Sequence, residues 1–236
     1  MKIQLADKIF EIHNRYPYIE LQCKNYLVPD DVPADLVLST TEEDIRYEHQ
    51  KSEEPKEHFS DDYLESLAIY RKIAEYFPFH QTILFHGSAV AVDGKAYLFT
   101  AKSGTGKSTH TRLWREMLGN RAIMVNDDKP LIRITEKEAT IFGTPWNGKH
   151  QLDTNVSMPL SAICILERAP KNEMASISFS EALPMLIQQT YRPHEIAGIQ
   201  KTLSLLALLK NSVRFYRLGC NMEPEAAEVA YRTLTS

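Results

Sequence analysis

The sequence predicts an α/β fold, in which apolar stretches of strand length alternate with stretches of helical periodicity and antiparallel pieces are added to a central sheet. Two observations carry this. A strand, a glycine-rich loop and a helix follow one another across Lys95–Leu118, and the next apolar run, Ala122–Val125, closes on Asn126-Asp127-Asp128. With 236 residues, 43% hydrophobic and 25% charged, the chain suits one full domain plus a small appendage.

Taken in order, Lys2–Ile12, Tyr18–Cys23 and Leu36–Ser39 carry apolar residues at strand-like spacing, separated by Asn14–Pro17 and Pro29–Pro33. This predicts a small, mostly β module over residues 1–57. Thr41–Asp62 is dense in Glu, Asp and Lys and broken by Pro55, so it reads as a linker into a second domain spanning 58–236. From Tyr63 to Phe77, Leu64, Leu67, Ala68, Ile69, Ile73, Ala74 and Phe77 follow helical spacing. Asp61 or Asp62 is the expected N-cap, Pro78 the stop, and the main sheet the surface this helix packs on.

Thr82–His86 reads as a strand, and Ala89–Val92 with Lys95–Thr100 as a hairpin, because Asp93-Gly94 suits the positive φ angles of a type I′ turn. A helix over Ser108–Leu118 ends at Gly119-Asn120. Leu131–Ile134 and Thr140–Phe142 form a second hairpin, Ala162–Glu167 a buried strand, Ser180–Gln189 and Gln200–Lys210 helices, Val213–Leu218 a strand and Glu223–Leu234 a closing helix.

Charge excludes several partners. Residues 1–80 hold 9 Lys/Arg against 17 Asp/Glu, a net −8, and residues 81–236 hold 18 against 14, a net +4. The total of −4 offers no broad basic surface to nucleic acid or to an anionic membrane. No window nears the roughly 20 apolar residues of a spanning helix, and the N-terminus lacks a signal-peptide apolar core. Cys23, Cys164 and Cys220 are too far apart for a zinc pair and odd in number for a disulfide framework. A cytoplasmic protein is the expectation, with the acidic N-terminal module aiding substrate recognition or self-association into a homo-oligomer.

The chemistry concentrates in Ala101-Lys102-Ser103-Gly104-Thr105-Gly106-Lys107-Ser108-Thr109, which follows the Walker A pattern except that Ala101 stands where that pattern has its first glycine. Glycines let backbone N–H groups turn inward around phosphates, Lys107 adds a mobile positive charge, and the Ser108 hydroxyl suits Mg²⁺. About twenty residues downstream, Asp127-Asp128 ends the next strand, where one carboxylate can hold the metal and the other accept a proton. Spacing alone suits either to either task. His86 ends the preceding strand, where an imidazole can orient a carboxylate or meet a phosphate. In Gly143–His150, Trp146 offers an apolar face while Lys149 and His150 offer charge for an anionic substrate.

The runs Leu84–Val90, Ser103–Thr109 and Val125–Asp128 together resemble the kinase domain of HPr kinase/phosphorylase, whose P-loop core is shared with phosphoenolpyruvate carboxykinase. The resemblance covers about residues 80–236. It implies a P-loop kinase core of that type and ATP-dependent phosphorylation of a serine-like hydroxyl with Mg²⁺. Carried over by residue, it implies Ser103–Thr109 around the nucleotide, Lys107 on the β/γ-phosphates, Ser108 on the metal, His86 at the transfer site, and Asp127 and Asp128 dividing metal binding and base work; the assignment taken is Asp127 as base and Asp128 on the metal. The Glu-Arg-Gly signature of HPr kinases is not found; Leu166-Glu167-Arg168-Ala169 only echoes it, and the chain has the Gly143–His150 loop in its place. That departure implies a divergent branch, some members of which phosphorylate small metabolites or modified peptides. A rival reading is an ATP-binding sensor or adaptor without phosphoryl transfer, against which the acid pair argues. A carboxykinase-like enzyme ranks last, because the chain lacks room for a substrate lobe.

Overall fold

The protein is described from a computed structural model that covers residues 1–51, 59–148 and 150–236. It divides into two compact units, Met1–Tyr76 and Phe77–Ser236. The boundary expected at 57/58 and the substrate candidate Lys149 lie outside the described residues.

In the first unit, β1 (Lys2–Leu5) and β2 (Lys8–His13) pair antiparallel about Ala6-Asp7, both at positive φ, and β3 (Leu36–Ser39) joins β2 in parallel. The segment expected as a strand at Tyr18–Cys23 is instead the short helix α1 (Tyr18–Gln22). Pro17 precedes it, and the Arg15 and Tyr16 N–H groups donate to the fully buried Glu65 carboxylate at 2.7 and 2.9 Å, turning the chain out of the extended state. Part of the expected linker is also helical: α2 spans Glu42–Lys51. It buries Ile45, and its polar face is held by Arg71–Glu48 at 2.6 Å and Lys72–Asp44 at 2.8 Å from α3 (Asp61–Tyr76). In α3 the Leu64 N–H bonds the Ser60 carbonyl, so Asp61 and Asp62 lie in the first turn rather than capping it. This helix, expected on the main sheet, groups with the first unit and packs on α1, α2 and β3.

The second unit is built on a nine-stranded mixed sheet. Its strands are β4 (Thr82–Leu84), β5 (Ser88–Val92), β6 (Lys95–Thr100), β7 (Ala122–Asn126), β8 (Leu131–Ile134), β9 (Ala139–Phe142), β10 (Ser157–Arg168), β11 (Glu173–Ser176) and β12 (Arg214–Cys220). The helices α4 (Lys107–Leu118), α5 (Phe179–Gln189), α6 (Ile196–Leu208) and α7 (Glu225–Thr235) cover it. Alternation along the strands assigns the faces. Ala96 and Leu98 of β6, Ala89 and Ala91 of β5, and Ile163 and Ile165 of β10 share a core with Leu186 of α5 and Leu206 of α6. Their neighbours Tyr97, Phe99, Val90, Val92, Cys164 and Leu166 share another with Trp114 of α4 and Ala230 of α7. Both faces are covered, which is why these strands read as continuous apolar runs.

Direction then gathers the strand ends. β6, β10 and β12 run parallel, β5 runs antiparallel between β6 and β7, and so β7 points the same way as β6. The C-terminal ends of β6, β7, β10 and β12 and the N-terminal end of β5 therefore meet at one edge of the sheet. No helix among the described residues is long and apolar enough to cross a membrane, and among those residues no disulfide joins Cys23, Cys164 or Cys220.

Candidate active site

The loop Ala101–Gly106 leaves the end of β6 and feeds α4. Gly104 and Gly106 adopt φ values of +74° and +123°, which strain any residue with a Cβ. Ala101, the departure from the strict pattern, is fully buried in the core beneath α4 and α7, so its methyl group packs away from solvent. Lys107 opens the twelve-residue α4, whose N-terminal N–H groups and dipole favour an anion. It is 8% exposed, and its ammonium donates to the Ala101 carbonyl at 3.1 Å. Burial lowers its pKa, helped by Lys129 and opposed by Asp128.

At the end of β7, Asn126 organises the acid pair. Its buried carboxamide oxygen accepts the N–H groups of Asp128 and Lys129 at 2.8 and 2.6 Å, and its amide nitrogen donates to the carbonyls of Thr144 and Trp146 at 2.9 and 3.2 Å. One side chain thus ties the acid turn to the 143–148 loop. The N–H of Gly148 donates to Asp127 Oδ1 at 2.5 Å, while the buried Asp127 Oδ2 has no hydrogen-bond partner among the described residues. A Cβ at position 148 would lie 2.9 Å from Oδ2, so glycine permits this approach. Burial raises the Asp127 pKa above 3.8, and Asp128 adds to the rise.

Asp128 differs. Burial pushes its pKa up, but the His86 hydrogen bond, Lys129 and Lys107 more than offset it, and the net shift is downward. His86 Nε2 lies 3.1 Å from Asp128 Oδ1. The imidazole is placed by its own backbone: its N–H bonds the Gln189 carbonyl at 2.7 Å and the Gly87 N–H bonds the Asp128 carbonyl at 3.0 Å. Two adjacent carboxylates therefore have pKa values shifted in opposite directions, Asp127 upward and Asp128 downward.

The remaining candidates distribute unevenly. Ser103 and Gly104 are exposed on the loop, and Thr105, Ser108 and Thr109 are half-buried. Trp146 is 4% exposed, so its ring is buried. His150 is exposed. Arg168, noted in the sequence only as an echo of a missing signature, ends β10 beside the loop, and its guanidinium donates to the Gly104 carbonyl. Its signal was its place one residue past an expected strand. Asn126 carried a weaker signal, being good turn composition.

The family model described as SynChlorMet cassette protein ScmC matches residues 61–204, more than half of the chain. No curated protein matches. Among solved structures, the Hpr(Ser) kinase/phosphatase from Coxiella burnetii aligns with 64% of this chain and 95% of its own, at 10% identity and a TM-score of 0.34. A superposition that loose supports no statement about shared chemistry.

Proposed function

The chain belongs to the ScmC family of SynChlorMet cassette proteins, and from the site it carries we propose that it is an ATP-dependent kinase. It transfers the γ-phosphate to a serine-like hydroxyl of a small molecule, peptide or protein. The observation that supports this best is the meeting, at one sheet edge, of the Ser103–Thr109 loop with two carboxylates of opposite protonation tendency.

In this reading the β- and γ-phosphates sit on the N–H groups of the loop and the first turn of α4. Lys107 exchanges the Ala101 carbonyl for a phosphate oxygen. The acceptor hydroxyl meets Asp127, whose raised pKa brings it nearer the working range of a general base. Asp127 Oδ2 takes the proton, the hydroxyl oxygen bonds to the γ-phosphorus, and the bond to the β–γ bridging oxygen breaks to release ADP. His86 keeps Asp128 ionised and lines the transfer site.

The donor set fits Mg²⁺, which takes one or two protein oxygens and completes its octahedron with phosphate oxygens and water. Ser108 and Asp128 would hold it. Such a site needs no cluster of three His, Cys, Asp or Glu, and none is arranged for a metal among the described residues. When bound, the ion neutralises charge developing on the transferred group.

The test is to incubate the protein with MgATP and a desalted extract of the cells that encode it, following phosphate by mass spectrometry. A phosphorylated species made by the wild type and by neither Lys107→Ala nor Asp127→Asn is the expected result. ATP binding with phosphate reaching only water, across broad metabolite and peptide fractions, would favour a sensor instead.

A further inference from the structure

A cavity of about 400 Å³ opens between α5 and α6. Ile187 of α5, Ile199, Leu203 and Leu206 of α6, and Pro193 between the helices give it apolar walls. The threonine hydroxyls in its lining are engaged: Thr190 Oγ1 donates to the Leu186 carbonyl at 2.7 Å and Thr202 Oγ1 to the Gly198 carbonyl at 2.9 Å. Water nonetheless reaches the apolar walls, with Leu203 45% and Ile187 36% exposed. The shape depends on Gly198, where a Cβ would lie 2.7 Å from Pro193 Cβ, so glycine lets the 190–193 segment lie against α6. A concave apolar surface left in water marks contact with another molecule.

Among the described residues of the lining the one charge is Arg192, which is exposed and has no ion pair or hydrogen bond among those residues. An apolar cavity with a single unpaired cation is complementary to an apolar group beside an anion.

Backbone pairing ties this cavity to the acid turn. Thr190 is bridged to Phe85, the His86 N–H donates to the Gln189 carbonyl at 2.7 Å and the Tyr191 N–H to the Leu84 carbonyl at 2.9 Å. From the other edge of the same segment, the Phe85 N–H donates to the Pro130 carbonyl at 3.1 Å and the Gly87 N–H to the Asp128 carbonyl at 3.0 Å. Three backbone segments thus lie side by side, and at about 4.8 Å per spacing the rim of the cavity at Thr190 is roughly 10 Å from the acid turn. A free amino acid or small polyol is too short to fill the cavity and reach Asp127 at once. An extended peptide, rising about 3.3 Å per residue, covers that span in roughly three residues.

We propose that this cavity docks the acceptor as an extended peptide segment, with an apolar and an acidic side chain about three residues from the serine. The apolar group enters between α5 and α6 and the carboxylate pairs with Arg192. The proposal rests on the kinase reading for the centre the serine reaches.

Fluorescence anisotropy tests the docking apart from catalysis. The probes are two labelled peptides of about twelve residues in which Ala replaces the serine, with Leu and Glu about three residues before it in one and after it in the other. One of them is expected to bind saturably. Arg192→Glu should weaken it roughly tenfold, and a peptide with Lys in place of that Glu should recover the loss. Leu203→Glu should weaken it by a similar factor, roughly tenfold. Both substitutions fall on exposed side chains, thermal melts confirm folding, and calorimetric affinity for MgATP should be unchanged. With the serine restored, both variants should raise KM for the peptide and leave kcat alone. Failure of both probes to bind, equal binding by wild type and Arg192→Glu, or transfer to free serine as efficient as to the peptide overturns the docking site and leaves the kinase reading standing. A serine peptide that binds through Arg192 and is never phosphorylated with MgATP overturns the kinase reading alone.

Discussion

Replacing Asp127 by Asn exchanges one carboxylate oxygen for an amide nitrogen and removes a charge that sits 3% exposed. The remaining oxygen still accepts the Gly148 N–H, so the loop keeps its tie. A general base contributes about 10²–10⁴ in rate, which at 1.36 kcal/mol per tenfold is about 2.7–5.4 kcal/mol of barrier. Turnover is expected to fall by that factor with MgATP affinity unchanged, since Lys107 and Ser108 are untouched. Stability should move the other way. A carboxyl whose folded pKa is raised above 3.8 contributes stability that is fully present below 3.8 and is lost as pH rises through the folded value. Asn has nothing to titrate. The variant's Tm relative to wild type should therefore climb as pH is raised across that window, then level off above wild type. The assay pairs a transfer rate with thermal melts from pH 3.5 to 7.5 at roughly half-unit steps. Turnover retained within about tenfold would remove Asp127 as base, and a Tm difference flat in pH would refute the assigned shift.

Other expectations follow from neighbouring residues. Asn126→Ala orphans two N–H groups and two carbonyls at a buried position and should cost about 3 kcal/mol by denaturant unfolding; a loss under about 1 kcal/mol would contradict its organising role. His86→Ala removes the hydrogen bond that most lowers the Asp128 pKa. Because a depressed carboxyl contributes stability above its unfolded pKa and loses it as pH falls, this variant should cost about 0.5 kcal/mol near neutrality and little in acid. The acid limb of the transfer rate should shift to higher pH with it. Gly106→Ala forces a Cβ into φ +123°, and should weaken MgATP binding in calorimetry and cost about 1–2 kcal/mol in a melt.

What could be read from the sequence depended on how local the cause was. The β5–β6 hairpin followed from Asp93-Gly94 at positive φ, and the strand–loop–helix order from glycines between apolar runs. The acid pair was legible because the end of an apolar strand places it at a sheet edge. Its relation to the loop was less so: β5 lies between β6 and β7, and only the antiparallel pairing of β5 with β7, across distant residues, decides that. The N-terminal elements were misread for a related reason. Glu42–Lys51 is too polar to announce a helix, and its support comes from Arg71 and Lys72 two helices' length away. Tyr18–Gln22 turns because the buried Glu65, distant in sequence, accepts the N–H groups ahead of it. The edge strand Glu173–Ser176 pairs only with β12 and is largely exposed, so it leaves no apolar alternation to find.

The central claim is most directly tested by a crystal structure of the protein soaked with magnesium and a non-hydrolysable ATP analogue. The account expects the β- and γ-phosphates on the Ser103–Thr109 loop, the γ-phosphorus facing Asp127, and the metal held by Ser108 and Asp128. An analogue bound away from the loop, or seated in it with its γ-phosphate turned from both aspartates, would contradict it.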